Sequence, residues 1–252
     1  MQEKQSDLLK FAIQLAKESA QILLKGHKKA KILKYKGETG DFALDMDVKS
    51  ENHVLQRIRK KYPHHDILTE ETGHHHKTSD YLWVIDPLEG TVNYAHQLPI
   101  WGVNIGLLYK KEPFIGVCYA PVLKELFYAE KGKGTYLNGK RIHVNHETEI
   151  MKALYSSALP DVERIPISRT LIRGWSCIGV EMAYVALGSF AARIKLRGKD
   201  PYGCVTGSIL VLEAGGKVTD PQGRPWSLKS EGIIASNGKL HDKLLKLINS
   251  TS

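Results

Sequence analysis

Residues 83–93, WVIDPLEGTVN, decide how this chain is read, and the argument runs outward from them in both directions. A strand-length apolar run over 81–85 ends at Asp86, and Pro87 fixes the backbone immediately after it. Asp86 and Glu89 can then turn toward one point. Gly90 and Thr91 open a turn or short helix whose N–H groups are suited to holding a phosphate. Carboxylates beside amide donors suit metal-assisted phosphoryl transfer to water. The same residues also describe a strand–turn–helix corner in which Asp86 and Glu89 only cap the helix.

More acids lie upstream: Asp41, Asp45 and Asp47, then the pair Glu70-Glu71. Each cluster sits beside an expected strand or its end, so they can converge on one rim. Gathered carboxylates repel one another and resist desolvation unless protons or cations compensate. Donors that are all oxygen suit a hard ion such as Mg²⁺. No His/Cys set with zinc spacing competes, and His74-His75-His76 reads as an exposed loop rather than a soft-metal tract.

Around this region the hydrophobic spacing predicts an amphipathic helix over 6–26 and a second over 48–62, stopped by Pro63. Short strands are expected at 66–69 and 81–85. Three apolar pieces between 101 and 127 read as an antiparallel meander, followed by a hairpin turning at Asn138-Gly139. In the second half, 180–187 and 205–214 read as helices, 190–196 and 232–237 as strands, and 240–248 as a closing helix. Helices and strands mix throughout, which places the chain in the α+β or layered α/β class. No Ser/Pro/Gly-rich linker separates the two parts, taken as 1–148 with the acidic motifs and 149–252 completing the pocket.

Composition narrows the function classes. The 252 residues are 42% hydrophobic and 25% charged, ordinary values that exclude a mainly disordered chain. No apolar run approaches the roughly 18 residues of a membrane-spanning helix. The opening residues lack the pattern of a secretory signal, so a soluble cytoplasmic protein with no membrane partner is expected. Three cysteines, Cys118, Cys177 and Cys204, support neither a disulfide framework nor a zinc ribbon and read as small buried residues. The net charge of +9 raises nucleic-acid binding, but the excess splits as +3 before residue 150 and +6 after it, without an aromatic-rich basic motif. Nucleic acid is therefore not an expected partner.

At this point the chain resembles the inositol monophosphatase-like, Mg²⁺-dependent phosphatases. The resemblance runs through GDFALDMDVKSE (40–51), ILTEETG (67–73), WVIDPLEGTVNYAHQLP (83–99), GVNIGLLYKKEPFIGVCYAP (102–121), GKGTYLNG (132–139) and LEAGGKVTD (212–220). It implies a layered αβαβα sandwich, usually a homodimer, that hydrolyses small phosphorylated metabolites. Carried over by position, Glu70, Asp86, the Leu88 carbonyl and Glu89 are the metal ligands. Glu70, Asp47 and Thr91 orient and activate the attacking water. Gly90, Thr91, Leu88 and Glu89 contact the substrate, and Lys36 lies in the segment that covers the site. One Mg²⁺ is expected, with a second bound more weakly or only with substrate.

The departures from the family pattern bear on activity. Glu89 stands where a second Asp is usual, and Gly203 replaces a metal-binding Asp at a helix start. Asp200, three residues earlier, could reach the site by a different path. Leu196 falls at the position of an acid that contacts inositol hydroxyls, and Ile178 adds bulk to a sugar-contact segment. These changes argue against inositol phosphate as the best substrate. They leave open a second reading, in which the chain binds a phosphorylated ligand or a protein without hydrolysis. Arg193, Lys195, Arg197 and Lys199 recur at every second position and read as a solvated strand face, with Leu196 marking the site side.

Overall fold

The computed structural model describes residues 6–36, 41–75 and 78–250. Helix α1 (Asp7–Gly26) begins at Ser6, whose hydroxyl accepts the Leu9 N–H, and buries Leu9, Phe11, Leu15 and Leu23 along one stripe. A hairpin of β1 (Ile32–Lys36) and β2 (Asp41–Leu44) leads into α2 (Asp45–Lys61). The side chain of Lys36, at the end of β1, lies outside the described residues, as does His76.

The chain then builds a broad sheet from β3 (Asp66–Thr69), β4 (Gly73–His75) and β5 (Tyr81–Glu89). After the short α3 (Thr91–Ala95) come β6 (Gly102–Tyr109), β7 (Glu112–Ala120), β8 (Glu125–Glu130), β9 (Thr135–Leu137) and β10 (Lys140–Ile142). The eight strands lie in the order β10-β9-β8-β7-β6-β5-β3-β4, and only β3 and β5 run parallel. The β9–β10 turn is at Asn138-Gly139, both with positive φ, as the sequence predicts.

A second sheet has five short strands: β11 (Tyr155–Ser157), β12 (Ile172–Arg173), β13 (Ala192–Lys195), β14 (Lys217–Thr219) and β15 (Ile233–Ser236). Their order is β12-β11-β13-β15-β14, with β11 parallel to both of its neighbours. The helices of this part are α4 (Leu159–Val162), α5 (Ile178–Ala186), α6 (Pro201–Glu213) and α7 (His241–Asn249). Helices α1 and α2 cover one face of the broad sheet, α5 and α6 fill the space between the sheets, and α7 backs the small one. The architecture is the expected αβαβα sandwich.

Helix α6 lies unusually close to the broad sheet. Gly106 and Gly116 face each other across β6 and β7, and a Cβ on either would strike Val205, Thr206 or Ile209. That close seat brings the start of α6 to the end of β5, where the acidic motifs lie.

Candidate active site

The end of β5 is bent by a bulge. Asp86 pairs with Asn104 and Glu89 with Gly102, so Pro87 and Leu88 share one partner position. Proline fits there because the bulge needs no ladder N–H from it. The freed Pro87 carbonyl is taken up by the hydroxyls of Ser19 on α1 and Ser50 on α2, at 3.4 and 3.3 Å, and the two hydroxyls are 2.5 Å apart. Inside the bulge the Leu88 N–H donates to Asp86 at 3.2 Å. Gly90 then turns the chain with φ of 81°, a left-handed conformation that costs any other residue strain.

Three of the residues expected to act together are adjacent. The Thr91 hydroxyl lies 3.1 Å from the Leu88 carbonyl and 3.4 Å from Asp47. Asp47 is held in turn by the Leu44 N–H at 2.5 Å. Glu70 sits half-buried on the turn after β3, and that turn is pinned by Glu51. Both Glu51 oxygens are used, accepting the Glu71 and Thr72 N–H groups at 2.9 Å each. Sequence reading missed Glu51, Ser50 and Ser19. Their signal was available: Glu51 and Ser50 follow Asp47 at helical spacing, and Ser19 interrupts an apolar stripe. Asp45 does not join the group, because it pairs with Lys49 and accepts the Lys31 N–H.

Glu89 is placed differently from the other carboxylates. It accepts the Gly179 N–H at 2.6 Å and the Val180 N–H at 3.1 Å, capping the start of α5 from another part of the chain. A Cβ on Gly203 would lie 2.6 Å from Glu89 Oε1, and closer still to Ile178 Cγ2. The longer side chain at 89 thus occupies the space beside the missing one at 203. Asn93 ties the same corner together, donating to the carbonyls of Ile100 and Trp175 at 2.8 and 2.7 Å. Cys177 packs beneath Gly90, and burial raises its thiol pKa, as it does for Cys118 and Cys204. All three read as packing groups.

These elements enclose a cavity of about 590 Å³ whose lining includes Glu70, Asp86, Glu89 and Thr91. Asp200 joins them from the start of α6, its side chain making no cap to its own helix. Arg193, Lys195 and Lys199 line the same cavity. The expectation of a solvated basic face with Leu196 on the site side is therefore reversed. Alternation along β13 turns residues 193 and 195 inward, whereas Leu196 and Arg197 line a separate cavity. Arg193 is buried in a 2.7 Å ion pair with Glu181, Lys195 is half-buried, and Arg197 and Lys199 are exposed.

The electrostatics of the site are dominated by crowded acids. Burial, followed by the charges of Glu70, Glu89, Asp200 and Asp47, holds the Asp86 carboxyl well above the ordinary range. Glu89 is pushed up to about 7, chiefly by burial and then by Asp200, while Asn104 and the Gly179 and Val180 amides oppose the rise. Buried oxygen donors that repel one another are the set a hard divalent cation relieves, so by chemistry the residues present fit Mg²⁺. Among the described residues no group of three or more His, Cys, Asp or Glu side chains is already set to hold a metal ion.

Comparison with known proteins bears out the class. The chain belongs to the inositol monophosphatase family, whose pattern it matches over residues 4–252. It is 31% identical to inositol monophosphatase 3 of Solanum lycopersicum, covering 96% of each chain. It is equally close to a fructose-1,6-bisphosphatase/inositol-1-monophosphatase of Thermotoga maritima, at 31% over 96% of each. A putative Nus factor SuhB of Neisseria meningitidis is 30% identical, over 96% of this chain and 98% of that one. Among solved structures, the Thermotoga maritima IMPase TM1415 superposes with a TM-score of 0.90 at 29% identity, over 98% of both chains. Membership supports a phosphoric monoester hydrolase acting on small phosphorylated substrates. Among the described residues no helix is long and apolar enough to cross a membrane.

Proposed function

We propose that the protein is a Mg²⁺-dependent phosphomonoesterase acting on a small phosphorylated metabolite such as a sugar, cyclitol or nucleotide-related phosphate. The observation that carries this reading is the Asp47–Thr91–Leu88 contact set beside the buried Asp86, with Glu70 on the adjacent turn. Glu70, Asp86 and the Leu88 carbonyl would hold Mg²⁺, which when bound polarises a phosphoryl oxygen and lowers the pKa of a water. The Thr91 hydroxyl has one proton and two lone pairs. Donating that proton to Asp47 leaves it an acceptor that orients the attacking water, with Glu70 as the second acceptor. Gly90 and Thr91 would turn backbone N–H groups toward the phosphoryl oxygens, stabilising charge as it develops. Glu89, with lone pairs left beyond its two amide bonds, would reach a second, weaker cation, and Asp200 would supply the acid absent at Gly203.

The second reading is a relative that binds a phosphorylated ligand or a protein without hydrolysis. The commitment of Glu89 to the α5 amides and the bare Gly203 favour it. Phosphate release from a broad phosphomonoester panel, with Mg²⁺ and with a chelator, separates the two. Mg²⁺-dependent release that is lost in Glu70→Gln supports the phosphatase. No release from any member of the panel leaves the binding reading in its place.

A further inference from the structure

A second cavity, of about 510 Å³, shares no lining residue with the active-site cavity. Leu196, Pro221 and Ile248 give it an apolar lining, and Arg164, Arg197 and Glu163 give it charge. These charges do not neutralise one another. Glu163 lies 3.6 Å from Arg169 in an exposed pair, and among the described residues neither the Arg164 nor the Arg197 guanidinium makes an ion pair or hydrogen bond. Elsewhere the chain engages its arginines: Arg57 with Glu18, Arg193 with Glu181 and Arg224 with Asp220. Two guanidiniums left without an acid at one cavity are charge that the fold itself does not use.

A single residue sets the backbone of both. Asp161, buried in the short α4, accepts the Arg164 N–H on its main-chain carbonyl at 3.0 Å and the Leu196 N–H on its carboxylate at 2.9 Å. On the far flank of Arg197, Gly198 turns with φ of 74° and its carbonyl accepts the Gly232 N–H at 3.2 Å. Arg197 is thus carried on a segment fastened before and after it, and Arg164 on a turn fastened to the same Asp161. Backbone fixed in advance lowers what a ligand must order on binding. The segment also reaches the active site: Leu196 and Arg197 line the second cavity, whereas Lys195, Lys199 and Asp200 on their flanks line the first.

We propose that Arg164 and Arg197 form an anion-binding site apart from the active site, which takes a small metabolite bearing a phosphate or a carboxylate and makes it an effector of the active site through residues 195–200. A guanidinium fork pairs two N–H donors with the two oxygens of either anion, and the apolar lining receives the carbon body. The binding does not depend on the phosphatase reading; its effect on phosphate release does.

Three probes with a common propyl chain test it: propylphosphonate, whose C–P bond resists hydrolysis, butyrate, and uncharged 1-butanol. Each is titrated into the ¹⁵N-labelled protein with a chelator at constant ionic strength and followed by amide NMR shifts. The two anions should saturate, moving the amides of Arg164 and of 196–198 rather than those of Gly90 and Thr91, and butanol should move neither set. The tighter of the two identifies the preferred head group. Arg164→Gln and Arg197→Gln should each weaken binding about five- to tenfold, and the double variant should abolish it. An unchanged thermal midpoint checks that these exposed replacements fold. Lys195→Met, in the active-site cavity, should leave the anion affinity unchanged. With Mg²⁺ and p-nitrophenyl phosphate, saturating propylphosphonate should change KM or kcat by about fivefold or more, and should change neither in the double variant. Shifts centred on Gly90 and Thr91, binding that survives in the double variant, or binding lost in Lys195→Met would place the anion in the active-site cavity and overturn the proposal. Failure of both anions to saturate at about 20 mM would overturn it as well. Binding at the arginines with release unchanged overturns the effector role. Binding there in a protein that releases no phosphate keeps the anion site and removes the phosphatase reading, and release without such binding does the reverse.

Discussion

Two regions meet at the cavity, and they are built on different principles. The acidic side, residues 45–91, is a relay of contacts between segments 20 to 68 residues apart, in which each functional group is fixed by a partner from another element or from its own helix start. Ser19 and Ser50 hold the Pro87 carbonyl, Glu51 holds the Glu70 turn, and Leu44 holds Asp47. The second part of the lining, residues 175–203, is assembled from helix starts and short strands. There Glu89 reaches across to cap α5, and Arg193 is fixed to Glu181. On the proposed function the two regions divide the work: the first gathers carboxylates for a cation, and the second sets what else enters the cavity.

The sharpest way to break that division is to remove one acid from the first region. Asp86→Asn should lower Mg²⁺-dependent phosphate release by about 10²- to 10⁴-fold. It should not lower the thermal midpoint of the metal-free protein, because it also removes a buried, repelled carboxyl. A variant that kept its activity would move the chemistry elsewhere.

Restoring an acid in the second region should fail for a steric reason. Gly203→Asp would press on Ile178 and on Glu89, and an overpacked site of this kind costs about 1–3 kcal/mol or more. Thermal unfolding should show a loss of several degrees, partly recovered when Glu89→Asp is added to shorten the facing side chain. Additive losses in the double variant would show that the two positions are uncoupled.

The pH dependence of the metal-free protein sharpens the same contrast. The carboxyls of Glu89 and Asp86 have folded-state pKa values above their unfolded ones. The stability they contribute as neutral groups is present at low pH and is lost as pH rises from about 4.5 toward about 7 for Glu89. The loss is on the order of 3 kcal/mol at most for that group. Denaturant unfolding between pH 4.5 and 8 with a chelator should follow this fall, and added Mg²⁺ should flatten it. A smaller effect is expected at Glu51: Glu51→Ala leaves two amides unpaired, with a cost of about 1–3 kcal/mol and a raised Mg²⁺ requirement.

The two regions were also unequally legible in the sequence. Helix α1, the strand at 66–69, the antiparallel meander and the Asn138-Gly139 hairpin follow from periodicity and turn chemistry, because their contacts are local. Strands β11, β12 and β14 have two or three residues each and carry no readable period. Asp47, Glu70 and Asp86 could be brought to one rim because each acidic cluster lies beside an expected strand or its end; the grouping of Thr91 with Asp47 and Glu70 came from the family resemblance. The role of Glu89 depends on an α5 that lies 90 residues away, and no spacing rule reaches that far. At 193–199 the alternation holds only to Lys195, where β13 ends, and Arg197 falls on the other side from Arg193, Lys195 and Lys199; the sequence does not show where the strand stops or which side of it meets the cavity.

The proposed function requires that the buried, mutually repelling acids at the end of β5 form a cation site. Calorimetric titration of the metal-free protein with Mg²⁺ at pH 7, in two buffers of different ionisation enthalpy, tests it most directly. Saturable binding with release of protons is expected, because carboxyls with raised pKa values must ionise to take up the ion, and that binding should be lost in Asp86→Asn. Binding that released no protons, or that survived unchanged in Asp86→Asn, would contradict it.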